Sequence, residues 1–198
     1  MYIYEGITDV FHVVNTAIAF ATEKHSGTYR KGRNIPYIFH PLEAANIAAT
    51  ITSDPEVIAA CVLHDTIEDT DTTYEDILER FGQRVADYVM SETEDKMRGL
   101  PAEESWKARK QATIDHLRNE EDINVKILVI ADKLSNLRQL YIDYNEVGEA
   151  LWDRFHQHDP WQHKWYYTEL CECFKDLSDT PAYDEYCWRL NMVFGRYK

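Results

Sequence analysis

One short stretch of the chain decides how the rest is organised: Leu63-His64-Asp65-Thr66-Ile67-Glu68-Asp69-Thr70. It places one histidine and three carboxylates within six residues, directly after the apolar run of residues 57–63. Buried charges are costly unless they are paired or hold a metal. If a helix continues through the stretch, each residue advances by about 100°, so the four ionisable groups share an arc of about 140°. One helix face would then offer an imidazole and three carboxylates to a common point.

Two distant residues extend this cluster into a candidate metal site. His40 lies in the segment of residues 36–42, and Asp132 interrupts the apolar stretch of residues 129–137. Together with His64 and Asp65 they supply two nitrogen and two oxygen donors, a set that suits a divalent transition metal with one position open to water. The alternative is that each of the four is a hydrogen-bonded core or capping residue.

The segments that carry these residues resemble a known family. They are Arg30-Lys31, Pro36-Tyr37-Ile38-Phe39-His40-Pro41-Leu42, His64-Asp65-Thr66-Ile67-Glu68-Asp69-Thr70 and Ala131-Asp132-Lys133-Leu134-Ser135-Asn136-Leu137-Arg138. Their order resembles the HD-domain metal-dependent phosphohydrolases, and in particular the hydrolase domain of RelA/SpoT proteins. The chain is most similar to the stand-alone small alarmone hydrolases, over residues 21–140 approximately.

The resemblance implies a reaction and the residues that perform it. The expected activity is metal-dependent hydrolysis of the 3′-pyrophosphate of guanosine 3′,5′-bis(diphosphate) (ppGpp) to GDP and pyrophosphate. One divalent metal, Mn²⁺ by resemblance, is expected on His40, His64, Asp65 and Asp132. Glu68 and Asp69 are expected to handle the attacking water and the proton, although Asp69 can instead cap the turn that follows it.

Four further residues match the family's nucleotide-binding positions. Arg30 and Lys31 correspond to its Arg-Lys pair, which suits phosphate oxygens, and the alternative is a pair of solvated loop charges. Asn136 lies one turn after Asp132 and corresponds to a contact with the sugar or phosphate. Leu140 is expected to line the base pocket or simply to pack in the core. Thr28 stands where many members carry glutamine, which leaves the base specificity open.

The composition of the chain limits the kinds of partner that it is expected to bind. A chain of 198 residues with 44% hydrophobic content suits one domain with a substantial core. A net charge of −14 argues against general binding to nucleic acid or to an anionic membrane surface. An anionic nucleotide substrate therefore needs a local basic patch, which Lys24, Arg30, Lys31 and Arg33 provide.

Cysteine usage and the start of the chain favour a cytoplasmic protein. Cys61, Cys171, Cys173 and Cys187 are interpreted as free thiols of a reducing compartment. No signal peptide is recognised at the start, and no apolar run approaches the roughly 20 residues of a membrane span. The aromatic segment that contains His156, His158 and His163 is interpreted as a packing surface, against the domain or against a second subunit in a homo-oligomer.

The periodicity predicts an all-α fold, and the resemblance implies that this fold is an HD-domain helical bundle. The chain is expected to form a single domain over residues 1–198, with a helical C-terminal extension at 145–198. Apolar spacing and capping signals predict where the helices lie. The predicted helices cover residues 9–25, 41–52, 55–64, 74–81, 83–93, 105–117 and 123–144, with two more starting at Pro160 and Pro181. Asp54, Asp122, Asp159 and Thr180 are the expected helix caps or starts.

Alternative functions remain open at this point. The nearest is another HD-family phosphohydrolase that acts on a different nucleotide or on a cofactor phosphate. An alternative of a different class is a non-catalytic nucleotide sensor. The pocket around Arg30, Lys31, Asn136 and Leu140 distinguishes the substrates, and metal content distinguishes the sensor.

Overall fold

The computed structural model describes residues 8–97 and 99–197, with side chains from His12 onward in these ranges. The predicted all-α class is confirmed, because the described residues form helices and no strand longer than an isolated antiparallel bridge between Tyr29 and Pro36. The chain divides into two compact units, residues 1–93 and 94–198. The 25-residue helix of the second unit, like every other helix in the described ranges, lacks the apolar length needed to cross a bilayer.

The first unit is built around one apolar helix. Its helices are α1 (Thr8–Lys24), α2 (Phe39–Ala48), α3 (Pro55–Leu63), α4 (Thr66–Asp69), α5 (Tyr74–Phe81) and α6 (Gln83–Glu92). Helix α3 packs against α1, α2 and α6, and six of its nine residues are buried. Such a helix gains its stability from the apolar surface it removes from water rather than from an amphipathic pattern.

The start of α3 is fixed by the predicted cap. The Asp54 carboxylate accepts a hydrogen bond from the Glu56 N–H at 3.0 Å, and Pro55 occupies the first turn. Arg84 of α6 donates to both Asp54 and Glu56 at 2.6 Å. Because these ion pairs join the N-terminus of α3 to α6, the cap also fixes how the two helices meet.

One continuous helix through residues 64–69, which was the condition for their shared face, is not what the structure shows. Helix α3 ends at Leu63, and the short helix α4 begins at Thr66. The Thr66 hydroxyl donates to the Leu63 carbonyl at 2.7 Å, and His64 Nδ1 bonds the Cys61 carbonyl at 2.8 Å. Side chains therefore take carbonyls that a continuing helix would use, which is how such groups compete with helical structure. His64 and Asp65 lie in the resulting break.

The second unit is built around a long central helix. Its helices are α7 (Ala102–Asn119), α8 (Ile123–Val147), α9 (Pro160–Cys173) and α10 (Pro181–Phe194), with short 3₁₀ segments at Gly148–Arg154 and Lys175–Leu177. Helix α8 packs on α10, and α7 packs on α9. The predicted starts are confirmed, since Asp122, Asp159 and Thr180 each accept a backbone N–H from the first turn of their helix. The predicted start of α7 at Ser105 is three residues late, because the turn at Pro101 already begins the helix.

Part of the aromatic segment is buried in this unit, whereas His156 and His158 are exposed. His163 is buried, donates from Nε2 to the Gln157 carbonyl at 2.8 Å, and stacks on Trp152 with ring centroids 5.1 Å apart. His163 is thus a packing residue.

The four cysteines are free thiols, with the Sγ atoms of Cys171 and Cys187 3.2 Å apart across α9 and α10.

Removing the cap of α3 is expected to destabilise the protein. Asp54→Ala leaves the Glu56 N–H unsatisfied and is expected to lower the free energy of unfolding by about 1–2 kcal/mol. Urea denaturation measures the change. Asp153→Ala, at an exposed position, is the matched control and is expected to stay within about 0.5 kcal/mol of wild type. Equal effects of the two substitutions would contradict the capping role.

Candidate metal and substrate site

Three of the four predicted metal ligands come together in the first unit. One donor atom from each of His40, His64 and Asp65 lies within 4.8 Å of the other two. Asp65 Oδ2 lies 3.0 Å from His64 Nε2 and 3.5 Å from His40 Nε2. Both histidines are buried, with exposures of 4% for His40 and 2% for His64. The cluster is therefore a buried pair of imidazoles with a carboxylate at its edge.

The helix ends explain how these side chains meet. His40 is the second residue of α2, and His64 and Asp65 occupy the break between α3 and α4. In a continuous helix neighbouring side chains diverge by about 100°. His64 and Asp65 keep right-handed helical backbone angles, and the Asp65 carboxylate nevertheless reaches the His64 ring, with Oδ2 3.0 Å from Nε2.

The tautomer of His64 indicates that the cluster of His40, His64 and Asp65 suits a cation. A backbone carbonyl only accepts hydrogen bonds, so the bond to Cys61 places the proton of a neutral His64 on Nδ1. The lone pair on Nε2 then faces a carboxylate oxygen that also carries lone pairs. A proton or a metal ion between them removes this repulsion, and a carbonyl partner on the far nitrogen is the usual support of a metal-binding histidine. Two imidazoles and a carboxylate are a donor set for a divalent transition metal.

Tyr37 is a residue of this site that the sequence analysis missed. Its hydroxyl donates to Asp65 Oδ2 at 2.5 Å. Burial, followed by the negative charge of Asp65, raises the pKa of Tyr37 far above its ordinary value, so the hydroxyl keeps its proton and remains a donor. The sequence held one signal for a role in the site, because Tyr37 lies three residues before His40 in a segment that resembles the family.

His25 is a second missed neighbour of the cluster. It is 4% exposed, and its ring centroid lies 4.9 Å from that of Tyr37. Burial lowers the pKa of His25, which outweighs the opposing effect of Asp65 and Asp69. A neutral histidine therefore packs behind the tyrosine.

The two predicted catalytic carboxylates follow the break directly. Glu68 and Asp69 lie in α4, with Glu68 half-buried and Asp69 exposed. The Asp69 N–H bonds the Asp65 carbonyl at 2.9 Å, so this single turn is anchored on the ligand-bearing break. Their catalytic roles stay predictions.

The predicted phosphate-binding pair lies on a tight turn of the first unit. The Arg30 N–H donates to the Ile35 carbonyl, and the Tyr37 N–H donates to the Thr28 carbonyl, each at 2.9 Å. Gly32, with a φ of 71°, supplies the left-handed conformation at the tip. Arg30 is half-buried with its guanidinium 5.6 Å from the Tyr37 ring centroid, whereas Lys31 is exposed.

The remaining predicted residues lie on α8 of the second unit. Asp132 is buried, and Asn136, one turn on, donates to Asp132 Oδ1 at 2.7 Å. Lys133 forms an ion pair with the same carboxylate. Leu140 is buried with 6% exposure. The predicted common face of Asp132 and Asn136 is confirmed, while the role of Asp132 as a ligand stays a prediction.

Several curated relatives of the chain are named for the hydrolysis of ppGpp, and others are named GTP pyrophosphokinase. A protein from Aquifex aeolicus (strain VF5), named guanosine-3′,5′-bis(diphosphate) 3′-pyrophosphohydrolase, is 41% identical over 129 residues, which is 65% of this chain and 18% of that protein. The protein of the same activity named MESH1 in Danio rerio is 41% identical over 132 residues, covering 65% of this chain and 69% of that one. The chain thus spans most of the shorter relative and under a fifth of the longer one.

Solved structures share the fold. A crystal structure of lmo0812 from Listeria monocytogenes EGD-e has a TM-score of 0.68 and 33% identity, covering 79% of this chain and 99% of that one. A metazoan orthologue of SpoT, described as hydrolysing ppGpp, has a TM-score of 0.70 over 99% of this chain and 97% of its own, and at 23% identity it bears on the fold alone.

The match to a protein family covers both the helix break and the central helix of the second unit. Residues 17–152 match the family described as HD domain, which is more than half of the chain. This range includes each of the predicted ligands, His40, His64-Asp65 and Asp132. The chain belongs to the HD domain family.

Proposed function

We propose that the chain hydrolyses the 3′-pyrophosphate of ppGpp, releasing GDP and pyrophosphate. The observation that carries this proposal is the cluster of His40, His64 and Asp65 beside the turn of Arg30, within a region 41% identical to proteins named for this reaction. Water supplies the new oxygen on the phosphorus, the bond from that phosphorus to the ribose 3′-oxygen breaks, and the 3′-oxygen takes up a proton.

The donor set supports a single divalent metal, for which we propose manganese. His40, His64, Asp65 and, from α8, Asp132 would hold it. A divalent ion bound there supplies Lewis-acid stabilisation of the phosphate charge and a lowered water pKa. The protein's own contribution is to keep His64 in the correct tautomer through Cys61 and to hold Asp65 in place.

The carboxylates of α4 are proposed to move the proton. Glu68 accepts the proton of the attacking water, and Asp69 assists in returning a proton to the leaving oxygen. Glu68 is assigned the first of these roles because its side chain is half-buried, whereas that of Asp69 is exposed. Their attachment to the break through the Asp65 carbonyl keeps them near the ligand carboxylate.

Four residues are proposed to recognise the substrate. Arg30 and Lys31 bind phosphate oxygens, Asn136 binds the sugar or phosphate, and Leu140 lines the base pocket. A local basic turn allows an anionic nucleotide to bind despite the net charge of −14. We propose a cytoplasmic protein that degrades a stringent-response alarmone, with the nucleotide as its partner, and homo-oligomer formation stays a prediction.

Mn²⁺ is expected to stabilise the wild-type protein but not His64→Ala. A ligand present at 100 times its dissociation constant stabilises the folded state by about 2.7 kcal/mol. The shift in melting temperature on adding Mn²⁺ measures this effect, independently of the stability of each apo protein. His116→Ala, at an exposed position on α7, is the control and is expected to keep the shift. An unchanged shift in His64→Ala would place the metal elsewhere.

Glu68→Gln is expected to reduce the rate of pyrophosphate release by about 100- to 10,000-fold, the usual contribution of a general base. The Mn²⁺-dependent melting shift is expected to remain, because Glu68 is not assigned as a ligand. Glu79→Gln, at an exposed site on α5, is the control and is expected to keep full activity. Absence of release from ppGpp in wild type, with Mn²⁺ bound, would exclude this substrate and direct the assay to other nucleotides and cofactor phosphates.

Asp132→Ala tests the fourth ligand. Loss of a group that only supports a ligand weakens metal binding by about 10- to 100-fold, and loss of a ligand is expected to do at least as much. Equilibrium dialysis with Mn²⁺ measures the dissociation constant. The exposed Asp153→Ala is the control for charge removal in the same unit. Equal affinities in the two variants would remove Asp132 from the ligand set.

A further inference from the structure

We propose that Tyr37 is a positioning residue that ties the ligand Asp65 to the phosphate-binding turn of Arg30. Its hydroxyl orients the carboxylate, and its ring and backbone hold the turn. The inference rests on the proposed function for the role of Arg30, and on the structure alone for the contact with Asp65. Tyr37 is not among the site residues expected from the sequence.

The hydroxyl end of Tyr37 acts on the metal ligand. A carboxylate can only accept, so the 2.5 Å contact is a hydrogen bond donated by Tyr37 to Asp65 Oδ2. Short O–H···O⁻ bonds of this kind are among the stronger hydrogen bonds in proteins. The oxygen that accepts it is the same one that lies 3.0 Å from His64 Nε2 and 3.5 Å from His40 Nε2. Tyr37 therefore selects which oxygen of Asp65 faces the two imidazoles.

The ring of Tyr37 is held between two histidines. The His25 ring lies 4.9 Å away and tilted, and the His40 ring lies 5.7 Å away in an edge-on arrangement. His25 is 4% exposed, and its Nε2 has no hydrogen-bond partner among the residues that the structure describes. A buried imidazole that lacks this hydrogen bond contributes to the structure chiefly by packing. His25 thus supports the tyrosine from behind and keeps its hydroxyl aimed at Asp65.

The remaining contacts of Tyr37 are with the basic turn. Its backbone N–H closes the turn on the Thr28 carbonyl at 2.9 Å, and the Arg30 guanidinium lies 5.6 Å from its ring centroid. A cation over an aromatic ring is attracted to its face. The same residue therefore restricts both the ligand carboxylate and the arginine proposed to bind phosphate. A displacement of Tyr37 would disturb the two together.

Two substitutions separate the hydroxyl from the ring. Tyr37→Phe removes only the donor, and we expect it to weaken Mn²⁺ binding by about 10- to 100-fold with the KM for ppGpp unchanged at saturating Mn²⁺. Tyr37→Leu also removes the aromatic face and is expected to raise the KM by about 2- to 5-fold, the loss of one exposed cation–π contact. Isothermal titration with Mn²⁺ gives the affinity without requiring any turnover, and initial rates give KM and kcat.

Tyr29→Phe is the matched control, since Tyr29 lies on the same turn but is 57% exposed. It is expected to leave both the Mn²⁺ affinity and the KM unchanged, and a thermal melt verifies that each variant is folded. An unchanged Mn²⁺ affinity in Tyr37→Phe overturns the role of the hydroxyl. An equal KM in Tyr37→Leu and Tyr37→Phe overturns the role of the ring.

Failure of the proposed substrate gives a different pattern. If wild type binds Mn²⁺ but does not cleave ppGpp, the substrate assignment fails. A weakened Mn²⁺ affinity of Tyr37→Phe in that case still supports the orientation of Asp65 by the hydroxyl. The titration and the rate assay therefore test the two statements independently.

Discussion

The break between α3 and α4 is the constraint on which the candidate site depends. The Thr66 hydroxyl takes the Leu63 carbonyl, and the His64 imidazole takes the Cys61 carbonyl. Helix α3 therefore stops where its buried apolar residues stop, and His64 and Asp65 follow directly, with Asp65 Oδ2 3.0 Å from His64 Nε2. The same two bonds satisfy backbone carbonyls at a helix end, which would otherwise be left without a partner inside the helix.

The charged and polar groups of the candidate site lie close to one another in the fold. Two buried imidazoles and one carboxylate form the candidate metal site, and the adjacent turn carries Arg30 and Lys31. A chain with a net charge of −14 repels anions at long range, but salt screens that repulsion beyond about 8–10 Å. Binding of a phosphate is thus decided by the groups within contact distance. Tyr37 matters because it sets the positions of both kinds of group at once.

The parts of the fold that could be predicted from sequence are those specified by local signals. Caps at Asp54, Asp122 and Asp159 were predicted because a carboxylate before a helix start is recognisable without any distant partner. The break after Leu63 was missed because an apolar run followed by polar residues is equally compatible with a continuing helix, and hydroxyl-to-carbonyl bonds decide between the two. Tyr37 and His25 were missed because aromatic residues usually serve packing, and only the fold brings them beside Asp65.

The predicted ligands of the first unit lie at helix ends, apart from the buried apolar residues that stabilise α3. His40 lies in the first turn of α2, while His64 and Asp65 lie after the last turn of α3. Ligands in the middle of α3 would bring charges into its buried interior, where their desolvation would oppose folding. At helix ends, side chains and backbone groups such as the Cys61 carbonyl can share the hydrogen bonds that a polar site needs. The apolar interior of α3 can therefore be packed for stability alone, because the polar residues of the candidate site lie beyond its end.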